Sequence, residues 1–108
     1  MTECVLITTS LATRDDAHRI AGALIEERLA ACVQVTPVES HYRWEGELEQ
    51  ASELLLTIKT TAARAPSAEA RIAALHSYAL PELLVMPVIG GSAAYLAWIA
   101  EAVAPAAR

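Results

Sequence analysis

Cys32-Val33-Gln34-Val35-Thr36-Pro37-Val38-Glu39-Ser40-His41-Tyr42-Arg43-Trp44, the turn Glu45-Gly46-Glu47 and the return from Leu48 to Thr60 decide the fold of this chain. After Pro37 the alternation has a period of two: Val38, Ser40, Tyr42 and Trp44 fall on one face, Glu39, His41 and Arg43 on the other. On the return, Leu54, Leu56 and Ile58 share a face, and Leu55, Thr57 and Lys59 share the opposite one. The pattern predicts two long antiparallel strands joined by a tight turn, with Gly46 supplying a positive φ. Pro37 has no N–H to donate, so its strand belongs at a sheet edge or carries a bulge there. A strand of about 13 residues is about 40 Å long, whereas a compact domain of this length has a radius of gyration of about 13 Å. The hairpin therefore either bends back at Pro37 or overhangs its own domain. An overhang carries unpaired N–H and C=O groups and apolar side chains such as Leu54 and Trp44. Edges of that kind are expected to close on another subunit.

The flanking segments complete the architecture. Cys4 to Thr9 is a continuous apolar and β-branched run, which suits a central strand covered on both faces or a strand near an interface. Thr13, three residues before Asp16, resembles a capping box, and Asp15 and Asp16 suit the positive end of a helix dipole. Ala17, Ile20, Ala21, Leu24, Ile25 and Leu29 then follow helical spacing. Pro66-Ser67 opens a second helix, with Ser67 or a residue just before it as the expected cap. Leu83 to Met86 is a short strand between Pro81 and Pro87. Gly90-Gly91 breaks the chain, and Ser92 caps a last helix with the stripe Tyr95, Trp98, Ile99 and Ala102. The order β-α-β-β-α-β-α predicts one α+β domain over residues 1–108, a ferredoxin-like sandwich with an extra C-terminal helix.

Composition bounds the function. With 108 residues, 55% hydrophobic and 19% charged, the chain can bury a core without disulfides or metal, and its composition argues against disorder. A net charge of -5 without a basic run argues against nucleic acid as a partner. No apolar stretch reaches the ~18–20 residues of a membrane span. The start Met1-Thr2-Glu3-Cys4 lacks the positive segment of a signal peptide. Cys4 and Cys32 make no disulfide framework, so both are expected to be buried thiols and the expected location is cytoplasmic.

No nucleophile elbow, phosphate-binding loop or zinc motif is present, so no enzyme is expected. Polar and aromatic residues instead gather at element ends: Tyr42 to Gly46, Lys59 to Thr61, and His76-Ser77-Tyr78-Ala79-Leu80-Pro81-Glu82. Each has an ordinary role available. The Lys59 stem can cover apolar surface, His76 can cap its helix, and Tyr42 and Trp44 can pack. Read together, Lys59, His76 and Glu82 with Tyr42 would line a cleft for a small anion or a metal ion. They would also suffice for acid–base work, since histidine titrates near neutrality.

The same segments resemble the CutA divalent-cation tolerance family. The matching stretches are Glu26 to Val33, Tyr42-Arg43-Trp44-Glu45-Gly46, Leu56 to Thr61, the loop His76 to Glu82, Leu84 to Val88 and Tyr95 to Ile99. The resemblance implies a homotrimer assembled through the long hairpins and similar to the PII signalling proteins. It also implies a link to copper and other divalent cations, with no established reaction. The implied site is an intersubunit cleft lined by Tyr42, Lys59, His76, Tyr78, Glu82 and Trp98. There Lys59 would neutralise an anion, His76 would donate a hydrogen bond or bind metal, Glu82 would orient a partner and the aromatics would form walls. Two departures bear on copper. Ser77 replaces the proline after the family's loop histidine. The first strand ends in Thr8-Thr9-Ser10, and Leu75 precedes His76, where some relatives carry a copper-binding cysteine and a second histidine. One histidine with hydroxyls is a poor copper site, so any divalent cation would be weakly bound or shared between subunits. The leading expectation is a non-enzymatic, metal-linked or ligand-responsive trimer. The alternatives are a PII-like signalling or partner-binding trimer, and an enzyme using His76 and Glu82 as acid and base.

Overall fold

The computed structural model describes residues 3–106, and its centre is β1 (Cys4–Leu11). It is followed by α1 (Arg14–Glu26), β2 (Cys32–Trp44), β3 (Glu47–Thr61), α2 (Ala65–Leu75), β4 (Leu84–Pro87) and α3 (Ala93–Ala102). The four strands form one antiparallel sheet in the order β2-β3-β1-β4. The fold is thus the α+β sandwich that the pattern predicts. β1 pairs with β3 from Cys4↔Thr61 to Leu11↔Leu54 and with β4 from Val5↔Pro87 to Thr8↔Leu84. A strand paired on both sides and covered on both faces favours a continuous apolar run, which Cys4 to Ile7 provides, and the buried β-branched Thr8 and Thr9 continue it.

α1 and α2 cover one face. Ile7 and Leu11 of β1, Leu56 and Ile58 of β3, Ile20 and Leu24 of α1 and Ile72 of α2 are fully buried between the layers. Each contributes about 1.5–3 kcal/mol by leaving water. Two caps form as expected: the Asp16 N–H donates to Thr13 Oγ1 at 3.1 Å, and the Tyr95 N–H donates to Ser92 Oγ at 3.2 Å. The start of α2 differs. Arg64 holds the cap position without a side-chain cap, Pro66 sits in the first turn, and Ser67 lies inside the helix on its exposed side. The Arg64 N–H instead donates to Thr61 Oγ1 at 3.3 Å.

α3 lies on the opposite face, where the Cys4 thiol approaches the Leu96 carbonyl at 3.9 Å. Its stripe is split. Ile99 and Val103 are buried, but Tyr95 and Trp98 are close to half exposed. Ile25 of α1 is also exposed. Cys4 is buried, but Cys32 is only partly so. The reason is register: Cys32 lies on edge strand β2, opposite Lys59, on the face away from α1 and α2.

The β2–β3 ladder runs unbroken from Cys32↔Lys59 to Trp44↔Glu47, with Pro37 on the edge strand opposite Leu54. Glu45 (φ 50°) and Gly46 (φ 81°) form the two-residue turn, so both central residues have positive φ. β1 stops at Leu54, and the seven residues Glu47–Glu53 pair with β2 alone. That ribbon projects about 23 Å at ~3.3 Å per residue. The hairpin does not fold back: the molecule measures 48 × 29 × 20 Å, with a radius of gyration of 14.6 Å. Leu54 is not part of the overhang's apolar surface, because it is buried at the root. Trp44 and Tyr42 on one face of the ribbon and Leu48 on the other are its exposed large apolar side chains.

Candidate functional site

Two side-chain groups stand out, one at each end of the β1–β3 ladder. The first forms where α2 ends. His76 has extended backbone (φ −72°, ψ 139°), which turns the chain away from the helix. Its Nε2 lies 3.0 Å from both Thr9 Oγ1 and the Ser10 carbonyl oxygen. Its Nδ1 accepts the Tyr78 N–H at 3.1 Å. A carbonyl acceptor at Nε2 and an N–H donor at Nδ1 together assign the neutral Nε2–H tautomer. Burial holds the His76 pKa below its ordinary value, partly offset by the Ser10 carbonyl and the charges of Asp16 and Glu53. Tyr78 stacks at a tilt on His76, 5.0 Å between ring centroids, and its hydroxyl donates to Glu53 Oε2 at 2.7 Å. Burial, and then the adjacent Glu53, push the Tyr78 hydroxyl far above the usual phenol range. His76 does not cap α2 with its ring. Arg19 does that work, with Nη2 2.9 Å from the Leu75 carbonyl and 3.3 Å from Asp16 Oδ1. The Arg19 contact holds the Asp16 carboxyl below its ordinary range.

The second group lies between the sheet and α3. Lys59 Nζ is 3.2 Å from the Tyr95 hydroxyl and 5.3 Å from the centre of its ring. Trp98 follows one turn later, its ring 5.4 Å from that of Tyr95 and tilted by 34°. Among the described residues the ion pairs are Arg19–Asp16 and Arg71–Glu27, so no carboxylate neutralises the only lysine of the chain. By register, Cys32 and Leu6 flank Lys59 on the same face, with Thr57 and Gln34 in the next row.

Within one chain, the sequence-predicted residues divide. His76 and Tyr78 meet. Tyr42 lies near enough to add a smaller upward push on the Tyr78 hydroxyl. Lys59 and Trp98 are joined through Tyr95. The two groups do not touch: Lys59 pairs with Leu6 and His76 reaches Ser10, four residues and about 13 Å further along β1. Thr9 and Lys59 also face opposite sides of the sheet. Glu82 is partly buried and makes no hydrogen bond or ion pair to either group among the described residues. The pattern missed Thr9, Ser10 and Glu53 as partners. It read Tyr95 as a packing residue, although its spacing of three from Trp98 already placed both on one helix side.

Metal fits one chain poorly. No group of three or more His, Cys, Asp or Glu side chains forms a metal site among the described residues. Both ring nitrogens of His76 are engaged. A groove of about 470 Å³ does open at the hairpin root, between Ala12, Arg14, Pro37 and Glu53. Its charged lining is Arg14, Glu39 and Glu53, and it lies beside the Tyr78–Glu53 bond.

Residues 5–102 match the family model described as CutA1 divalent ion tolerance protein. A Thermus thermophilus protein named divalent-cation tolerance protein CutA is 46% identical over 102 residues, covering 94% of this chain and 97% of its own length. The crystal structure of CutA from Xylella fastidiosa superposes with a TM-score of 0.91 at 39% identity, covering 94% of this chain and 98% of that one. A structure titled as the periplasmic divalent cation tolerance protein CutA from Archaeoglobus fulgidus gives 0.91 at 34% identity, with 94% and 99% covered.

Proposed function

The chain belongs to the CutA1 divalent ion tolerance family, and from that premise we propose that it works as a homotrimer that holds a small anionic ligand in a cleft between subunits without transforming it. The observation that carries this reading is the Lys59 ammonium. It is held against Tyr95 by a hydrogen bond and a cation–π contact, with no carboxylate beside it among the described residues. A cation fixed in place and left unneutralised favours an anion, and its low-dielectric aromatic flank strengthens that attraction. Lys59 supplies the charge, Tyr95 a hydroxyl and Trp98 a wall. His76 and Tyr78 act differently: they fasten their loop to β1 and to Glu53, so that the loop carrying Glu82 keeps one shape.

Support for the trimer is the ribbon. Over Val38–Trp44 and Glu47–Glu53 each strand has one partner, and Trp44, Tyr42 and Leu48 are exposed along it. A closed ring of three chains removes such edges without leaving a growing end. Tyr42, near the far end of one chain's ribbon, would then reach a neighbour's site. Support for a non-catalytic role is that His76 has no free nitrogen and no contact with Glu82. The tolerance link carried by the relatives' names then runs through the ligand. Direct copper binding would require His76 to give up a hydrogen bond, or ligands from two subunits.

Calorimetry tests this. Acetate should give saturable heat with the wild-type chain and none with Lys59→Met, while Cu²⁺ heat should not change in His76→Asn. Stoichiometric Cu²⁺ binding that vanishes in His76→Asn, with no anion heat, would replace the anion reading with the metal one. Sedimentation should give three times the 11.5 kDa chain mass.

A further inference from the structure

We infer that the anion held at Lys59 is a planar aromatic carboxylate, its carboxylate on the Lys59 ammonium and the Tyr95 hydroxyl and its ring against Tyr95 and Trp98. The inference rests on the proposal that this face binds an anion, and it adds the ligand's shape and charge.

The charge follows from what surrounds Lys59. One ammonium and one phenolic hydroxyl 3.2 Å apart match the two oxygens of a carboxylate. A phosphate dianion calls for more positive charge, and Lys59 is the only lysine. Three of the arginines are already committed elsewhere: Arg64 to the Val103 carbonyl, Arg71 to Glu27, and Arg19 to Leu75 and Asp16. The neighbouring face positions, Thr57 and Gln34, are polar but uncharged, so they add hydrogen-bonding capacity without a second charge.

The shape follows from the rings. α3 docks through Ile99 and Val103, which are buried, yet Tyr95 (43%) and Trp98 (45%) remain exposed. Anchoring the helix therefore does not account for them. The two rings stand 5.4 Å apart at a 34° tilt, too close to admit a third ring between them. They offer instead a broad outer π-surface beside the cation. An aliphatic acid can meet Lys59 and cover that surface, but only a planar ring gains the stacking contribution, about three- to tenfold in affinity. The Lys59 stem needs only a linear apolar side chain to cover the sheet, which Met would supply. Loss of binding in Lys59→Met thus reports the charge and not the packing.

The test is a fluorescence titration in a Trp44→Phe background, which leaves Trp98 as the sole tryptophan reporter. The probes are benzoate, cyclohexanecarboxylate and benzamide. Benzoate is expected to change Trp98 emission saturably and to bind three- to tenfold more tightly than cyclohexanecarboxylate. Benzamide, planar but neutral, should bind at least tenfold more weakly. Lys59→Met should weaken benzoate at least tenfold with an unchanged melting temperature and sedimentation coefficient. Tyr95→Phe, which keeps the ring and removes the hydroxyl, should weaken it severalfold and serves if Lys59→Met does not assemble. Equal binding of benzoate and cyclohexanecarboxylate overturns the aromatic inference and leaves the anion proposal standing. Benzamide binding as tightly as benzoate overturns the anion proposal itself. If neither acid binds, by fluorescence or by calorimetry, both readings are overturned.

Discussion

β3 is one strand with two different lives. From Leu54 to Thr61 it has β1 on one side and β2 on the other, and Leu54, Leu56 and Ile58 vanish into the core. From Glu47 to Glu53 it has β2 alone, and its side chains there are exposed or only partly covered. The backbone geometry is the same, and so is the partner strand. The difference is whether the chain's own layers reach that far. The body of this protein is covered by its own layers, whereas the ribbon has only its two strands, and under the proposed assembly its cover comes from neighbouring chains. Substitutions in the two halves should therefore fail in different ways. Leu56→Ala removes a fully buried side chain and should cost about 2–5 kcal/mol, read as an early urea midpoint. The double change Trp44→Glu with Leu48→Glu should leave the far-UV circular dichroism of the chain intact and abolish the proposed trimer in sedimentation. A ribbon variant that still sediments as a trimer would break the comparison, because it would mean that the exposed apolar edge is not the assembly surface.

Tyr78 joins the two halves, since Glu53 is the last ribbon residue before the core begins. Tyr78→Phe leaves the Glu53 carboxylate without its donor. The expected cost is about 1–2 kcal/mol, the low end for a hydrogen bond to a charged group because the pair is partly solvated. The loss should appear as faster hydrogen exchange in the ribbon and the His76–Glu82 loop before it appears in the core. Uniform loss across the sheet would show that the bond merely adds to global stability.

A smaller effect follows from His76. Its folded pKa is held below the ordinary histidine value, so the unfolded chain takes up the proton first. Its contribution to stability is complete above about pH 6.5 and is lost as the pH falls from there toward the depressed folded value. Protonating Nδ1 would also set two donors against each other at the Tyr78 N–H. Denaturation midpoints should therefore decline between pH 7 and pH 5, and His76→Asn should flatten that decline. An equal decline in both proteins would assign it to other groups.

Much of the fold was legible because it is written in local patterns. The period-two run after Pro37, the Thr13 and Ser92 caps and the continuous run of β1 each have a single structural solution. The overhang was legible too, from strand length against domain size. The start of α2 was not, because Ser67 is a good cap by type while Pro66 fits the first turn wherever the helix begins nearby. The burial of Cys32 was misjudged for a non-local reason: only the sheet order shows that its face lies away from α1 and α2. How the candidate residues group was not legible. Tyr42, Lys59 and Trp98 lie on three different elements, and His76, Tyr78 and Glu82 lie on one loop, so no spacing rule relates the whole set. Glu53 was invisible for the same reason, as its partner Tyr78 lies 25 residues away.

The smallest effect lies at the ribbon's tip, and it has the opposite sign. The turn requires positive φ at both central residues, yet the first is Glu45 at φ 50°. A side chain with a Cβ costs roughly 1–2 kcal/mol in the left-handed region, and glutamate has no short polar group to offset it locally. Asn at this position, as in the favoured Asn-Gly turn, should stabilise the chain by about 0.5–1 kcal/mol. The gain depends on how far the tip belongs to the cooperative unit. If the ribbon frays independently in the monomer, Glu45→Asn leaves the midpoint of an assembly-deficient variant unchanged and raises only that of the assembled protein. Measuring the substitution in both backgrounds therefore reports whether the outer half of β3 folds with its own chain or only with its neighbours.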